Sequence, residues 1–129
     1  MMVKKEAFIK KVTEIVNQFF ESEFSIRPTS VKVILEKDIL IIKLVGIFSQ
    51  SERDLAMTRE GDELINKLYK SLFDRTIPIL EKMLKHVVSE GIKSSKVEIN
   101  PKDTECFCIF TFSENIEEKL NLKKKRGSG

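Results

Sequence analysis

The sequence predicts an α+β domain, a four-stranded, mainly antiparallel sheet built in the order helix, hairpin, long helix, hairpin, short tail helix. Three observations carry this expectation. Apolar residues recur at three-and-four spacing in two separate stretches, as in helices that bury one face. Two pairs of short runs rich in strand formers are each joined by a turn-sized connection. A chain of 129 residues, 41% hydrophobic and 33% charged, suffices for one core and one domain.

The first helix carries Phe8, Val12, Ile15, Val16, Phe19 and Phe20 on its apolar stripe, with Lys4, Lys10, Lys11, Glu14, Asn17 and Glu21 opposite. It stops near Phe24, because Pro28 pushes Arg27 toward extended backbone. Strands follow from Val31 to Glu36 and from Ile39 to Ile47, split by Lys37-Asp38, a length that suits a tight hairpin. The first strand alternates, with Val31, Val33 and Leu35 facing one way and Lys32 and Glu36 the other. The second is apolar on both faces except at Lys43, so it is expected to be covered on both sides.

Ser49-Gln50-Ser51-Glu52 has the form of a capping box and is expected to open a long helix that reaches about Glu90, with Gly91 as its stop. Its stripe includes Leu64, Ile65, Leu68, Tyr69, Leu72, Phe73, Ile77, Leu80, Leu84 and Val88. Forty residues of helix would span roughly 60 Å. The helix therefore either bends, for which Pro78 offers a place, or extends to meet another chain. The last strands run from Lys96 to Asn100 and from Cys106 to Phe112, joined by a turn that Pro101 begins. In the final strand Phe107, Ile109 and Thr111 face one way and Cys106, Cys108, Phe110 and Phe112 the other. The two alternating strands belong at the sheet edges and the two apolar ones at its centre. A short tail helix then offers only Ile116, Leu120 and Leu122 as apolar contacts.

Two substantial helices cover one sheet face, and the tail is too thin to cover the other. A two-fold homodimer that covers the remainder, by sheet or by long helix, is the expectation. A monomer with a tucked tail is the alternative. Residues 1–122 are expected to form the single domain and 123–129 a disordered basic tail, whose Lys123-Lys124-Lys125-Arg126 carry four positive charges against a net charge of +3. No internal segment is strongly basic, so no specific nucleic-acid partner is expected. No apolar run approaches the ~18 residues of a membrane span, and the start does not read as a signal peptide. A soluble cytoplasmic protein without direct membrane insertion is expected.

Catalytic and cofactor motifs do not emerge. The five glycines form no phosphate-binding loop, and a single histidine, His86, builds neither a relay nor a zinc pair. Cys106 and Cys108 could lend two thiolates to zinc, but their spacing puts them on one sheet face as small hydrophobes. No cofactor and no enzymatic activity are expected. Gly61 stands out, because glycine inside a helical pattern costs about 1 kcal/mol relative to alanine. It marks either a kink or tight helix packing, or the close approach of a ligand. In the latter case Arg53, Arg59 and Arg27 would supply cationic forks for a small anion, as in a metabolite-sensing regulatory domain. Otherwise these arginines are ordinary surface charge.

From Arg27 to Phe112, about two thirds of the chain, the sequence resembles a bacterial family. The matching stretches are Arg27-Pro28-Thr29-Ser30-Val31-Lys32-Val33, the run from Leu44-Val45-Gly46-Ile47-Phe48 through Ser49-Gln50-Ser51-Glu52-Arg53, Gly61, Asn100-Pro101 and Ile109-Phe110-Thr111-Phe112. The chain departs from the family's pattern at Ser25, Ile26, Ser49-Gln50, Asp62 and Asn100. The family is the MpsC-like one, formerly a domain of unknown function and named for a sodium-translocating, membrane-potential-generating system. The resemblance implies a soluble accessory subunit working with membrane protein subunits at the inner face of the membrane. It supplies no catalytic residues.

Overall fold

The structure, a computed structural model, describes residues 4–120. The basic tail and Leu122 lie outside the described residues. Helix α1 (Lys4–Phe24) buries Phe8, Val12, Val16, Phe19 and Phe20. Strands β1 (Ser30–Glu36) and β2 (Ile39–Val45) form the first hairpin, with Lys37 in the left-handed region at φ 56°. Two helices follow, α2 (Gln50–Leu55) and α3 (Arg59–Leu84), then β3 (Ile92–Asn100), a 3-10 turn (Pro101–Asp103) and β4 (Glu105–Phe112). Residues 116–120 are helical.

All three strand pairings are antiparallel and the order is β1-β2-β4-β3, which puts the two apolar strands at the centre as expected. Across the sheet the register aligns Leu35, Leu40, Phe110 and Ser95 in one row, Val33, Ile42, Cys108 and Val97 in the next, and Val31, Leu44, Cys106 and Ile99 in a third. These rows make the inner face. α1 lies against β1 and α3 against β3, so both long helices cover this same face. Between them Phe19, Phe20, Phe24, Phe73, Tyr69 and Phe48 form one chain of aromatic contacts, with ring centroids 4.9 to 6.2 Å apart. Ile116 joins this core from the tail helix.

The structure departs from the sequence expectation along the long helix and at the start of β3. The expected continuous helix from Ser49 breaks at residues 56–58, where Thr58 starts a new N-terminus by accepting the Gly61 N–H on Oγ1 at 3.0 Å. The helix that remains, 26 residues and about 39 Å long, runs through Pro78 and ends at Leu84, short of Glu90. Leu64 and Leu68, which fit the apolar stripe by spacing, are 58% and 46% exposed, because the stripe that packs is the one through Ile65, Tyr69, Phe73 and Ile77. As the placement of two helices on one face implies, the described residues cover β2 on one side only. Leu40, Ile42 and Leu44 are fully buried while Ile39 is 39% exposed, since both helices took the same face. Strand β3 also begins earlier than its polar start suggests, at Ile92, with an irregularity in register between Ile92 and Ser94.

Candidate functional site

The elbow between α2 and α3 gathers three of the residues singled out from the sequence. The capping box forms: Ser49 Oγ accepts the Glu52 N–H at 3.1 Å, and Glu52 Oε1 accepts the Ser49 N–H at 2.8 Å. The second Glu52 oxygen accepts the Tyr69 hydroxyl at 2.8 Å, which fastens α2 to α3. Burial and this carboxylate together push the Tyr69 phenol well above its ordinary value, so it stays a neutral donor.

Gly61 is explained by the chain itself. It is buried in the first turn of α3, and a Cβ placed there would stand 1.8 Å from the Leu55 carbonyl oxygen. The close approach that glycine permits is therefore that of α2's own C-terminal end. Arg59 points away, with its side chain 92% exposed and paired to Glu63 at 3.3 Å. Arg53 donates to Gln50 along α2, and its Nε is buried without a partner. Arg27 lies apart, beside a shallow hollow lined by Glu14, Gln18 and Glu21 of α1. The structure therefore does not bring the four residues to a common pocket.

Other reactive groups are absorbed by packing. Cys106 and Cys108 are free thiols buried on the inner face, and hydrogen bonding to Cys108 and burial push the Cys106 thiol far up. Among the described residues no cluster of His, Cys, Asp and Glu is placed to hold a metal ion. His86 is exposed. At the far end of the sheet Glu117 takes a hydrogen bond from Lys5 Nζ and the Lys37 N–H, while Lys119 Nζ bridges Glu90 and Glu114 at 3.0 Å each. These contacts pin the tail helix over the β1–β2 turn.

Among the described residues, what stands open is the outer face of the sheet. Its rows read Ile34, Ile41, Ile109, Lys96 and Lys32, Lys43, Phe107, Glu98 at the centre, flanked by Glu36, Ile39, Thr111, Ser94 and by Ser30, Val45, Glu105, Asn100. β2 and β4 thus contribute a lane of Ile39, Ile41, Val45, Phe107 and Ile109, and Ile34 beside it is 40% exposed. Three lysines and three glutamates share the face, so it carries no net charge. Lys43 pairs with Glu105 at 3.1 Å and lies 5.9 Å from the Phe107 ring centre. Four strands at ~4.8 Å spacing and about seven residues at ~3.3 Å give the whole face a footprint on the order of 400 Å², of which the apolar lane is the central part.

A second open feature is a groove of about 1160 Å³ between α3 and the edge strand β3. Phe73, Ile77, Val97 and Ile99 line its apolar part and Lys70 and Glu98 its rim, and near one end Glu81 accepts a hydrogen bond from Ser95. Sequence reasoning identified the two-sided apolar strands that create the open face but not the groove. The only sequence signal for the groove is the alternation of half-apolar β3 residues at a sheet edge.

Residues 4–114 match the family described as "Na+-translocating membrane potential-generating system (MpsC)". An uncharacterized protein, YbcI of Bacillus subtilis (strain 168), is 21% identical over 120 residues, a span of 93% of this chain and 97% of that protein. No solved structure matches the chain. No described helix is long and apolar enough to cross a membrane.

Proposed function

Because the chain belongs to the MpsC family, we propose that it is a non-catalytic homodimeric interaction module, an accessory subunit of a membrane cation-translocating, potential-generating system at the cytoplasmic face. The observation that carries this reading is the one-sided sheet. An apolar lane of Ile39, Ile41, Phe107 and Ile109 bordered by balanced charge is built to be covered by protein. The non-catalytic part of the reading is supported by the strongly shifted groups, Tyr69 and Cys106, which are occupied in packing and hydrogen bonds rather than grouped around a cavity.

The test is genetic and electrical. Cells lacking the gene should show a lowered membrane potential with a voltage-sensitive dye, restored by the wild-type gene but not by an Ile41→Lys/Ile109→Lys variant that folds normally. An unchanged potential on deletion would remove the system assignment. Full rescue by the double variant would remove the outer face as the docking surface.

A second reading, a small-anion-sensing regulatory domain, has one observation in its favour, the buried and unpartnered Nε of Arg53. It requires a thermal stabilisation by phosphate or a small carboxylate that Arg53→Lys abolishes.

A further inference from the structure

The edges of the sheet differ in how completely the helix layer covers them. On β1 the inward residues Val33 and Leu35 are 8% and 2% exposed beneath α1. On β3 the corresponding Ser95, Val97 and Ile99 remain half-buried, because α3 leaves the groove beside them. The helix layer is therefore fuller over β1, where Val31 alone of the inward residues is half-buried, than over β3, where all three are.

The ladder itself says which β3 groups are unused. Gly46 N–H donates to the Thr104 carbonyl and Phe112 N–H to the Asp38 carbonyl, so the even-numbered β4 residues bond toward β2. Ser113 N–H donates to the Gly91 carbonyl, so the odd-numbered ones bond toward β3. With Lys96 opposite Ile109 and Glu98 opposite Phe107, the N–H and C=O groups of Lys96 and Glu98 are spent on β4. Those of Ser95, Val97 and Ile99 point out at the free edge.

We propose that two copies of this chain join antiparallel through the β3 edges about a two-fold axis at Val97, which extends the sheet to eight strands and closes the groove with the partner's α3. This rests on the homodimer reading above and names its interface. The occupant is a second copy because the strand is complementary to itself. A two-fold at Val97 sets Lys96 opposite Glu98 of the partner and Glu98 opposite Lys96 of the partner, on the outer face. These are non-hydrogen-bonded positions, where facing side chains come closest. Val97 faces its own copy, and Ser95 faces Ile99 of the partner, a set that gives about six main-chain hydrogen bonds. The irregularity after Ile92 and the missing N–H of Pro101 bracket the paired stretch at its two ends. Within one chain Lys96 and Glu98 pair with each other at 3.2 Å, so both charges already lie on the face where the partner's would meet them. The edge route uses the groove and leaves the outer face free.

Sedimentation of the full chain over a concentration series tests this with three variants. Val97→Pro removes only an outward N–H and leaves the ladder to β4, Lys96→Glu puts like charges opposite each other, and Lys96→Glu/Glu98→Lys restores opposite charges with the signs exchanged. The wild-type chain should be a dimer and Val97→Pro a monomer with an unchanged circular dichroism spectrum. Lys96→Glu should weaken the dimer about tenfold or more, and the double exchange should recover most of it. If the proline variant fails to fold, the charge series decides alone. A dimer that Lys96→Glu leaves unchanged overturns the edge interface and leaves the homodimer standing. A wild-type chain that is monomeric throughout overturns both.

Discussion

Replacing Gly61 with alanine should destabilise the protein although alanine is the better helix former. In an open helix the exchange stabilises by up to about 1 kcal/mol, and Gly61 adopts no conformation that forbids a side chain. The obstacle is steric. The new methyl would stand 1.8 Å from the Leu55 carbonyl oxygen and 2.7 Å from its carbon, where contact needs more than 3 Å, and a backbone carbonyl cannot rotate out of the way as a side chain can. The elbow must open, which strains the Thr58 cap on Gly61 at 3.0 Å and the Tyr69–Glu52 bond at 2.8 Å. Overpacking costs about 1–3 kcal/mol and a weakened cap about 1, against the gain of about 1 from propensity, for a net loss of about 1–3 kcal/mol. For a domain of this size that is a fall in Tm of roughly 4–10 °C by calorimetry. Gly91→Ala is the control, since its methyl would meet nothing closer than the Ser113 hydroxyl at 3.7 Å, and it should shift stability by less than about 0.5 kcal/mol. A Gly61→Ala protein as stable as the wild type or more so would refute the account of the elbow and return Gly61 to the candidates for ligand approach.

Three further outcomes follow from the same geometry. Tyr69→Phe leaves the ring packing on Phe48 and Phe73 but removes the donor to Glu52, and should lower urea stability by about 1 kcal/mol. Cys106 and Cys108 should resist a thiol reagent in the native protein and react stoichiometrically once unfolded, because both are buried and hydrogen bonding and burial hold the Cys106 thiol protonated. The tail latch should make stability depend on acid pH. Lys5 and the Lys37 N–H hold the Glu117 carboxyl below its ordinary 4.5, and at Glu90 burial pushes up but the bond to Lys119 prevails and the value is lowered. A lowered folded value means the contribution is complete above the ordinary value and is lost as pH falls through the lowered one, so chemical denaturation profiles should slope downward below about pH 4.5. The slope should flatten in Glu117→Gln/Glu90→Gln.

The parts legible in the sequence were those where local chemistry and packing agree. The stripe of α1, the hairpin at Lys37-Asp38, the capping box from Ser49 to Glu52 and the central placement of β2 and β4 each had a local cause that the fold kept. The break at 56–58 was masked because the capping box at Ser49 and the apolar periodicity from Leu64 onward read as parts of one helix. Its own signals, Thr58 as a cap and Gly61 three residues later, make sense only once Leu55 is known to press on the glycine. The polar start of β3 hid four residues of edge strand, Ile92 to Ser95, since an edge need not be apolar. For the site, side-chain chemistry pointed to arginines that the fold leaves dispersed. The open sheet face was legible in the apolar runs of β2 and β4, whereas the groove by β3 arises from where α3 settles, which no single stretch of sequence specifies.

The central claim is that this chain is completed by protein, first of all by a second copy of itself, rather than by ligand, and a native mass spectrum of the chain as purified tests it most directly. The account predicts a species of twice the chain mass with nothing else bound. A monomer, or a chain carrying a few hundred daltons of small molecule, would contradict it.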